Sequence, residues 1–138
     1  MRIGEVLKLT PKDVGDRKLT IQSPKSGKDA EVVFIPRKVE ERLGAYIKEK
    51  AFDLERRIFP ITYAAARIVV KKAERIAGIE LMPHDLRRHA ATYASRSGIP
   101  IEIVSRVILR HENLPTTQRY LGKISDTEAT RWIETLYG

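Results

Sequence analysis

Apolar and polar positions alternate in some stretches of the chain and recur every three to four residues in others. Residues 2–9 place Ile3, Val6, Leu7 and Leu9 on one side, which predicts a short helix broken at Thr10-Pro11. Residues 18–22 (Lys-Leu-Thr-Ile-Gln) alternate and predict a strand. Residues 31–35 (Glu-Val-Val-Phe-Ile) predict a second strand, closed by Pro36. Between them lies turn chemistry, Ser-Pro-Lys-Ser-Gly-Lys-Asp over 23–29, so the pair reads as a hairpin. Everything after it has helical period. A stripe of Val39, Leu43, Tyr46 and Ile47 predicts a helix over 39–50, and Phe59-Pro60 marks a turn. A long helix follows over 63–77, stopped by Gly78. Pro83 reopens a helix over 84–97, with Gly98 as its stop, and Pro100 opens another to 109. A loop over 111–115 leads to a short helix near 117–121. The last helix runs over 126–136, with Ser125 or Asp126 as N-cap. The fold class expected is mainly α with a small β-hairpin.

Composition narrows the function classes. A chain of 138 residues fits one domain of ~100–200 residues, spanning 1–138. At 42% hydrophobic and 32% charged residues it is neither disordered nor low-complexity by composition. It has no cysteine, so disulfides, thiolate metal sites and cysteine nucleophiles are excluded. No apolar run approaches the ~18 residues of a membrane span, and residues 1–5 lack a signal-peptide core. A cytoplasmic protein is expected. Lys and Arg number 26 against 18 acidic residues, a net charge of +8, which suits either a polyanion partner or a merely soluble surface.

Candidate chemistry clusters late in the chain, where all three histidines fall between 84 and 111. On a helix, His84, Arg87, Arg88 and Ala91 share one side, near a helix start that favours phosphate. Leu86, Ala90, Tyr93 and Ala94 share the other and are expected to pack inward. A surface histidine beside a solvated arginine pair would give the same spacing. A metal site is not expected: His84 and His89 point about 140° apart, and no His-Glu-x-x-His arrangement is present. A second cluster places His111 nine positions before Tyr120. Arg67, Lys71, Lys72 and Arg75 on the long helix suit either DNA-backbone contacts or a solvated face.

The order Arg2, Lys25, His84-x-x-Arg87, His111, Tyr120 resembles the catalytic domain of the tyrosine recombinases, the phage-integrase family. Residues 1–9 look like that family's first-arginine helix, with Glu5 supporting the site. Ser23-Pro24-Lys25-Ser26-Gly27 looks like the hairpin that carries its lysine. Pro83-His84-Asp85-Leu86-Arg87-Arg88-His89 is close to its His-x-x-Arg box. His111 with Thr116-Thr117-Gln118-Arg119-Tyr120 is similar to its second histidine and nucleophile. Phe59-Pro60 resembles the segment that closes the middle of the family's domain, so the resemblance covers nearly the whole chain, with five motifs in order.

Three departures stand out. Arg110 occupies the place before the second histidine, where the family often has Gly. Lys28 competes with Lys25 as the hairpin lysine. The chain begins one residue before Arg2, where the family usually has an N-terminal helical domain and further helices. A catalytic domain lacking that N-terminal region is therefore expected, either a fragment or a reading frame opened at an internal Met.

The resemblance implies site-specific DNA recombination or integration through a 3′-phosphotyrosine intermediate. Arg2, Lys25, His84, Arg87, His111 and Tyr120 are the implied catalytic residues, and double-stranded DNA the implied partner, with self-association into a tetrameric synapse. Cofactors and metals are not implied, because one phosphoester replaces another. Lys28, Arg67, Lys71, Arg88 and Arg110 are the expected DNA contacts. The competing expectation is a truncated or non-catalytic helical DNA-binding domain.

Overall fold

The computed structural model describes the chain apart from Ser23, Lys25, Ser26, Lys28, Gly138 and the side chain of Tyr137. The expected roles of Lys25 and Lys28 therefore lie outside the described residues. The order of elements is α1 (Ile3–Val6), a 3-10 turn at Pro11–Asp13, β1 (Val14–Gly15), β2 (Lys18–Gln22) and β3 (Ala30–Phe34). The helices α2 (Arg37–Glu49), α3 (Tyr63–Ala77), α4 (Pro83–Arg96) and α5 (Ile101–Ile103) follow. A widened turn at Val104–Leu109, α6 (Leu114–Leu121) and α7 (Asp126–Tyr137) complete it. The protein is mostly helical with one small antiparallel sheet, ordered β1-β2-β3.

Strand alternation fixes which side chains of the sheet face inward. Leu19 and Ile21 of β2 are buried, and Leu19 pairs with Val33 while Ile21 pairs with Glu31. Val32 and Phe34 on the other face of β3 are exposed. The inner face meets α2 and the 50–60 loop: Leu9, Leu19 and Ile58 are buried, with Val33, Ile35, Leu43, Tyr46 and Phe59 packed on them. Ile58 donates its amide to the Leu9 carbonyl at 2.8 Å, tying the loop to the end of α1. A second core forms in the C-terminal half from Ala91, Val104 and Leu109, covered by Ala94, Ile108, Tyr120 and Leu121.

Helix ends follow local chemistry. The Thr62 hydroxyl caps α3 by accepting from the Ala65 amide at 3.1 Å, and Gly78 ends the helix at φ 68°, which a Cβ disfavours. Ser125 caps α7 through the Glu128 amide. The last helix lies back on its own chain: Trp132 packs at Gly98, and Glu128 accepts from Arg96 Nε at 3.1 Å.

One expectation is reversed. Leu86, Ala90 and Tyr93 of α4 face outward, Leu86 and Tyr93 being 51% and 67% exposed. The opposite side turns in, with Ala91 fully buried and Arg87 at 8%. The second core presents Val104 and Leu109 to the small side chain of Ala91, which lets the helix approach closely, and Arg87 is drawn in by a backbone acceptor described below. No described helix is long and apolar enough to cross a membrane.

Candidate active site

A group of polar and charged residues lies between the two cores. Arg2, at the entry to α1, comes from the first half. Arg87 and His84 come from α4, His111 from the end of the widened turn, and Tyr120 from α6. A cleft of about 520 Å3 opens here, lined by Arg2, Glu5, Tyr63, His84 and Arg87 among others. Tyr63, at the first turn of α3, was not expected at the site. Its sequence neighbourhood carries no motif, and only the packing of α1 against α3 brings it there.

Tyr120 sits among three of the expected residues. The rings of His84 and His111 meet its ring edge-on, at centroid distances of 5.4 and 5.7 Å. The Arg88 guanidinium lies 5.6 Å from the ring centroid, a cation–π contact. The phenol oxygen is buried and has no hydrogen-bond partner among the described residues. Such an atom is costly to leave unpaired in a resting protein.

Arg87 is held by its Nη2, which donates to the carbonyl of Leu109. Its Nη1 is buried without a partner among the described residues. Burial and then the neighbouring Arg2 charge press its pKa below the ordinary arginine value, while a phenolate at Tyr120 would act in the other direction. The guanidinium nevertheless stays charged at neutral pH. One prong thus fixes the fork and the other remains available to an acceptor.

His111 is oriented by a buried hydroxyl chain. Its Nδ1 lies 2.9 Å from Thr117 Oγ1, which lies 2.8 Å from Ser105 Oγ. Both hydroxyl residues are fully buried. The chain can run in either direction, so Nε2 serves either to donate to an anion or to accept a proton. Burial, followed by the charges of Arg87 and Arg2, pushes the His111 pKa below the usual 6.5, and the ring is neutral at pH 7.

Glu5 organises the other end. Its Oε2 accepts the Arg2 amide at 2.7 Å and its Oε1 the Arg2 Nη1 at 3.3 Å. Burial alone would raise the carboxyl; hydrogen bonds from Arg110 and the Arg2 amide, with both arginine charges, outweigh it and hold Glu5 below its ordinary 4.5. The ionised form therefore stabilises the fold at neutral pH. That contribution is lost as pH falls through the lowered folded value. Glu5→Gln is expected to reduce stability at pH 7 and to flatten the acid-side decline of the urea midpoint. An acid-side decline as steep as the wild type's would contradict this.

Arg110 departs from expectation. It was expected on the DNA-facing surface, but its side chain is 5% exposed and paired to Glu5 and Glu31. Two carboxylates converge on it, so its charge is spent internally. Its backbone is left-handed, at φ 54° and ψ 46°. That geometry suits Gly, the residue the resembling family often carries there. Arg67 and Lys71 of α3 are exposed on one side of their helix, as is Arg88 on α4. Among the described residues no group of three His, Cys, Asp or Glu is placed to hold a metal ion.

Comparison with known proteins adds ancestry to this geometry. Residues 1–125 match the phage integrase family. Tyrosine recombinase XerA of Thermococcus kodakarensis is 30% identical over 129 residues, covering 87% of this chain and 45% of the relative. XerA of Saccharolobus solfataricus is 27% identical over 138 residues, covering 99% and 46%. The chain thus spans about half the length of the curated relatives it matches. Its fold is similar to the crystal structure of XerA recombinase, with a TM-score of 0.77 at 24% identity over 99% of this chain and 52% of that one. It is also similar to the Tn1549 transposon integrase in complex with transposon right end DNA, with a TM-score of 0.70 at 18% identity, covering 100% and 55%. The family match runs from the helix of Arg2 past Tyr120, and on that ground the chain belongs to the phage integrase family of tyrosine recombinases.

Proposed function

We propose that residues 1–138 form the catalytic domain of a site-specific DNA recombinase that breaks and rejoins strands through a 3′-phosphotyrosine link. The observation that carries this reading is that two buried polar atoms with no partner among the described residues, Tyr120 Oη and Arg87 Nη1, lie beside a histidine on a hydroxyl relay. A phosphodiester would satisfy both: the guanidinium donates to a non-bridging oxygen, and the phenol faces phosphorus.

A phenol with an ordinary pKa near ~10 attacks poorly at pH 7. The reaction therefore depends on fixed donors for the charge that gathers on the non-bridging oxygens. Arg2 supplies a planar fork and Arg87 its open Nη1 prong, and His111 Nε2 a third donor. Tyr120 loses its proton towards His84 as its oxygen bonds to phosphorus. The bond from phosphorus to the 5′ oxygen breaks, and the departing oxygen takes a proton, a role the family resemblance gives to Lys25. Attack by a free 5′-hydroxyl reverses these steps and reseals the strand, so the exchange consumes no nucleotide. Exchange between two duplexes requires several copies on DNA, and self-association there is part of the proposal.

DNA binding should be electrostatic. Arg67, Lys71 and Arg88 are exposed, and the net charge is +8. Affinity for duplex DNA is expected to fall at least about tenfold between ~50 and ~200 mM salt, as phosphate-bound counterions are released. A filter-binding titration that shows no change over this range contradicts the reading. Strand cleavage itself is tested with a nicked suicide duplex in EDTA: the protein as its gene encodes it is expected to form an SDS-resistant adduct. Tight binding with no adduct would favour the non-catalytic binder instead.

A further inference from the structure

Arg110 has a place in the site that the strand-cleavage reading leaves unused. A left-handed backbone disfavours any residue with a Cβ, yet the position carries a long cation whose side chain is 5% exposed. Two carboxylates from distant segments hold it. Nη2 donates to Glu5 Oε2 at 2.6 Å, and Nη1 donates to Glu31. Glu31 reaches it because strand alternation puts residue 31 on the same face of β3 as Val33, the face that packs on the core. Arg110 thus joins α1, the sheet and the turn that carries His111.

Glu5 is shared between two arginines, unequally. Arg110 makes the short contact at 2.6 Å, and the Arg2 guanidinium the long one at 3.3 Å. The Arg2 side chain stays 39% exposed while that of Glu5 is 9% exposed. Without Arg110, Arg2 would be the cation still hydrogen-bonded to the buried Glu5 carboxylate. Carboxylate and guanidinium favour a two-pronged pair, and that pair would draw Arg2 off the cleft.

We propose that Arg110 is a positioning residue: by neutralising Glu5 and pinning it towards β3, it keeps the Arg2 guanidinium free for the scissile phosphate. This rests on the strand-cleavage reading above. Arg110 touches no reacting atom in this account and acts through Glu5 on Arg2.

The test compares adduct formation on the nicked suicide duplex, duplex DNA affinity and thermal melting for the protein as its gene encodes it. The variants are Arg110→Gly, Arg110→Lys, Glu5→Gln and the double variant Arg110→Gly with Glu5→Gln. Gly accepts the left-handed backbone, so the first variant loses only the side chain. Arg110→Gly is expected to slow adduct formation about 10²-fold, as a misplaced catalytic group does, with DNA affinity within about threefold because most phosphate contacts remain. Adding Glu5→Gln removes the competing charge and is expected to recover at least about tenfold of that loss. A role confined to stability would give no such recovery. Arg110→Lys keeps a charge without the fork and is expected to fall between wild type and Gly. It carries the test, alone and with Glu5→Gln, if Gly does not fold. Wild-type rates in Arg110→Gly (or in Arg110→Lys, if Gly does not fold), or no recovery in the double variant, overturn the proposal. Absence of any adduct from the wild type overturns the strand-cleavage reading itself.

Discussion

Replacing Tyr120 by phenylalanine is expected to abolish covalent attachment to DNA while leaving DNA affinity within about threefold, because phosphate contacts set that affinity. The ring is held by the edges of His84 and His111 and by the Arg88 guanidinium, and it covers the core of Ala91, Val104 and Leu109. Phenylalanine keeps all of that packing. The lost oxygen has no hydrogen-bond partner among the described residues, so no protein hydrogen bond is lost with it. Removing an unsatisfied buried polar atom is neutral or stabilising. The expected signature is therefore a dead enzyme with an unchanged or higher melting temperature. A variant that melts well below wild type would show that the phenol makes a structural hydrogen bond and would contradict the geometry described here.

Arg87 should combine both kinds of loss. Its Nη2 satisfies the buried Leu109 carbonyl, and its Nη1 is the prong left for a phosphate. Arg87→Ala strands that carbonyl, at a cost of about 1–3 kcal/mol. Arg87→Lys separates the roles better. An ammonium keeps the charge but cannot hold the carbonyl and a phosphate oxygen with one planar fork. The rate of strand cleavage is expected to fall roughly 10²–10³-fold, as when one transition-state donor is removed. DNA affinity should change by only a few-fold. Single-turnover cleavage on the nicked duplex measures the first, and a binding titration the second. A lysine variant that cleaves at the wild-type rate would remove Arg87 from the site.

Local signals made most of the elements legible in the sequence. The bounds of α3 follow from the Thr62 cap and the left-handed Gly78, and the alternation in β2 reports its buried Leu19 and Ile21. β1 was not visible, because two residues carry no period. Val14–Gly15 becomes a strand only by pairing with Leu19 and Lys18. The face of α4 was misread for a physical reason: side-chain hydrophobicity points Leu86 and Tyr93 inward, but close packing at Ala91 and the Leu109 carbonyl turn the Arg87 side in. The motif order placed Arg2, His84, Arg87, His111 and Tyr120 together as candidates, since spacing within short segments is a sequence property. The contacts that orient them are not. Arg110 meets Glu5 across 105 positions and Glu31 across 79. No periodicity announces such a pairing, and Tyr63 enters the cleft only through the packing of α3.

The central claim is that Tyr120 takes the 3′ phosphate of a broken strand. It is tested most directly by trapping the protein on a nicked suicide duplex in EDTA, digesting the adduct with trypsin and nuclease, and locating the attached nucleotide by mass spectrometry. The account predicts a single modified peptide, carrying a 3′-linked nucleotide on Tyr120. Attachment at another residue, a 5′-linked nucleotide, or an adduct that forms only with a divalent metal would contradict it.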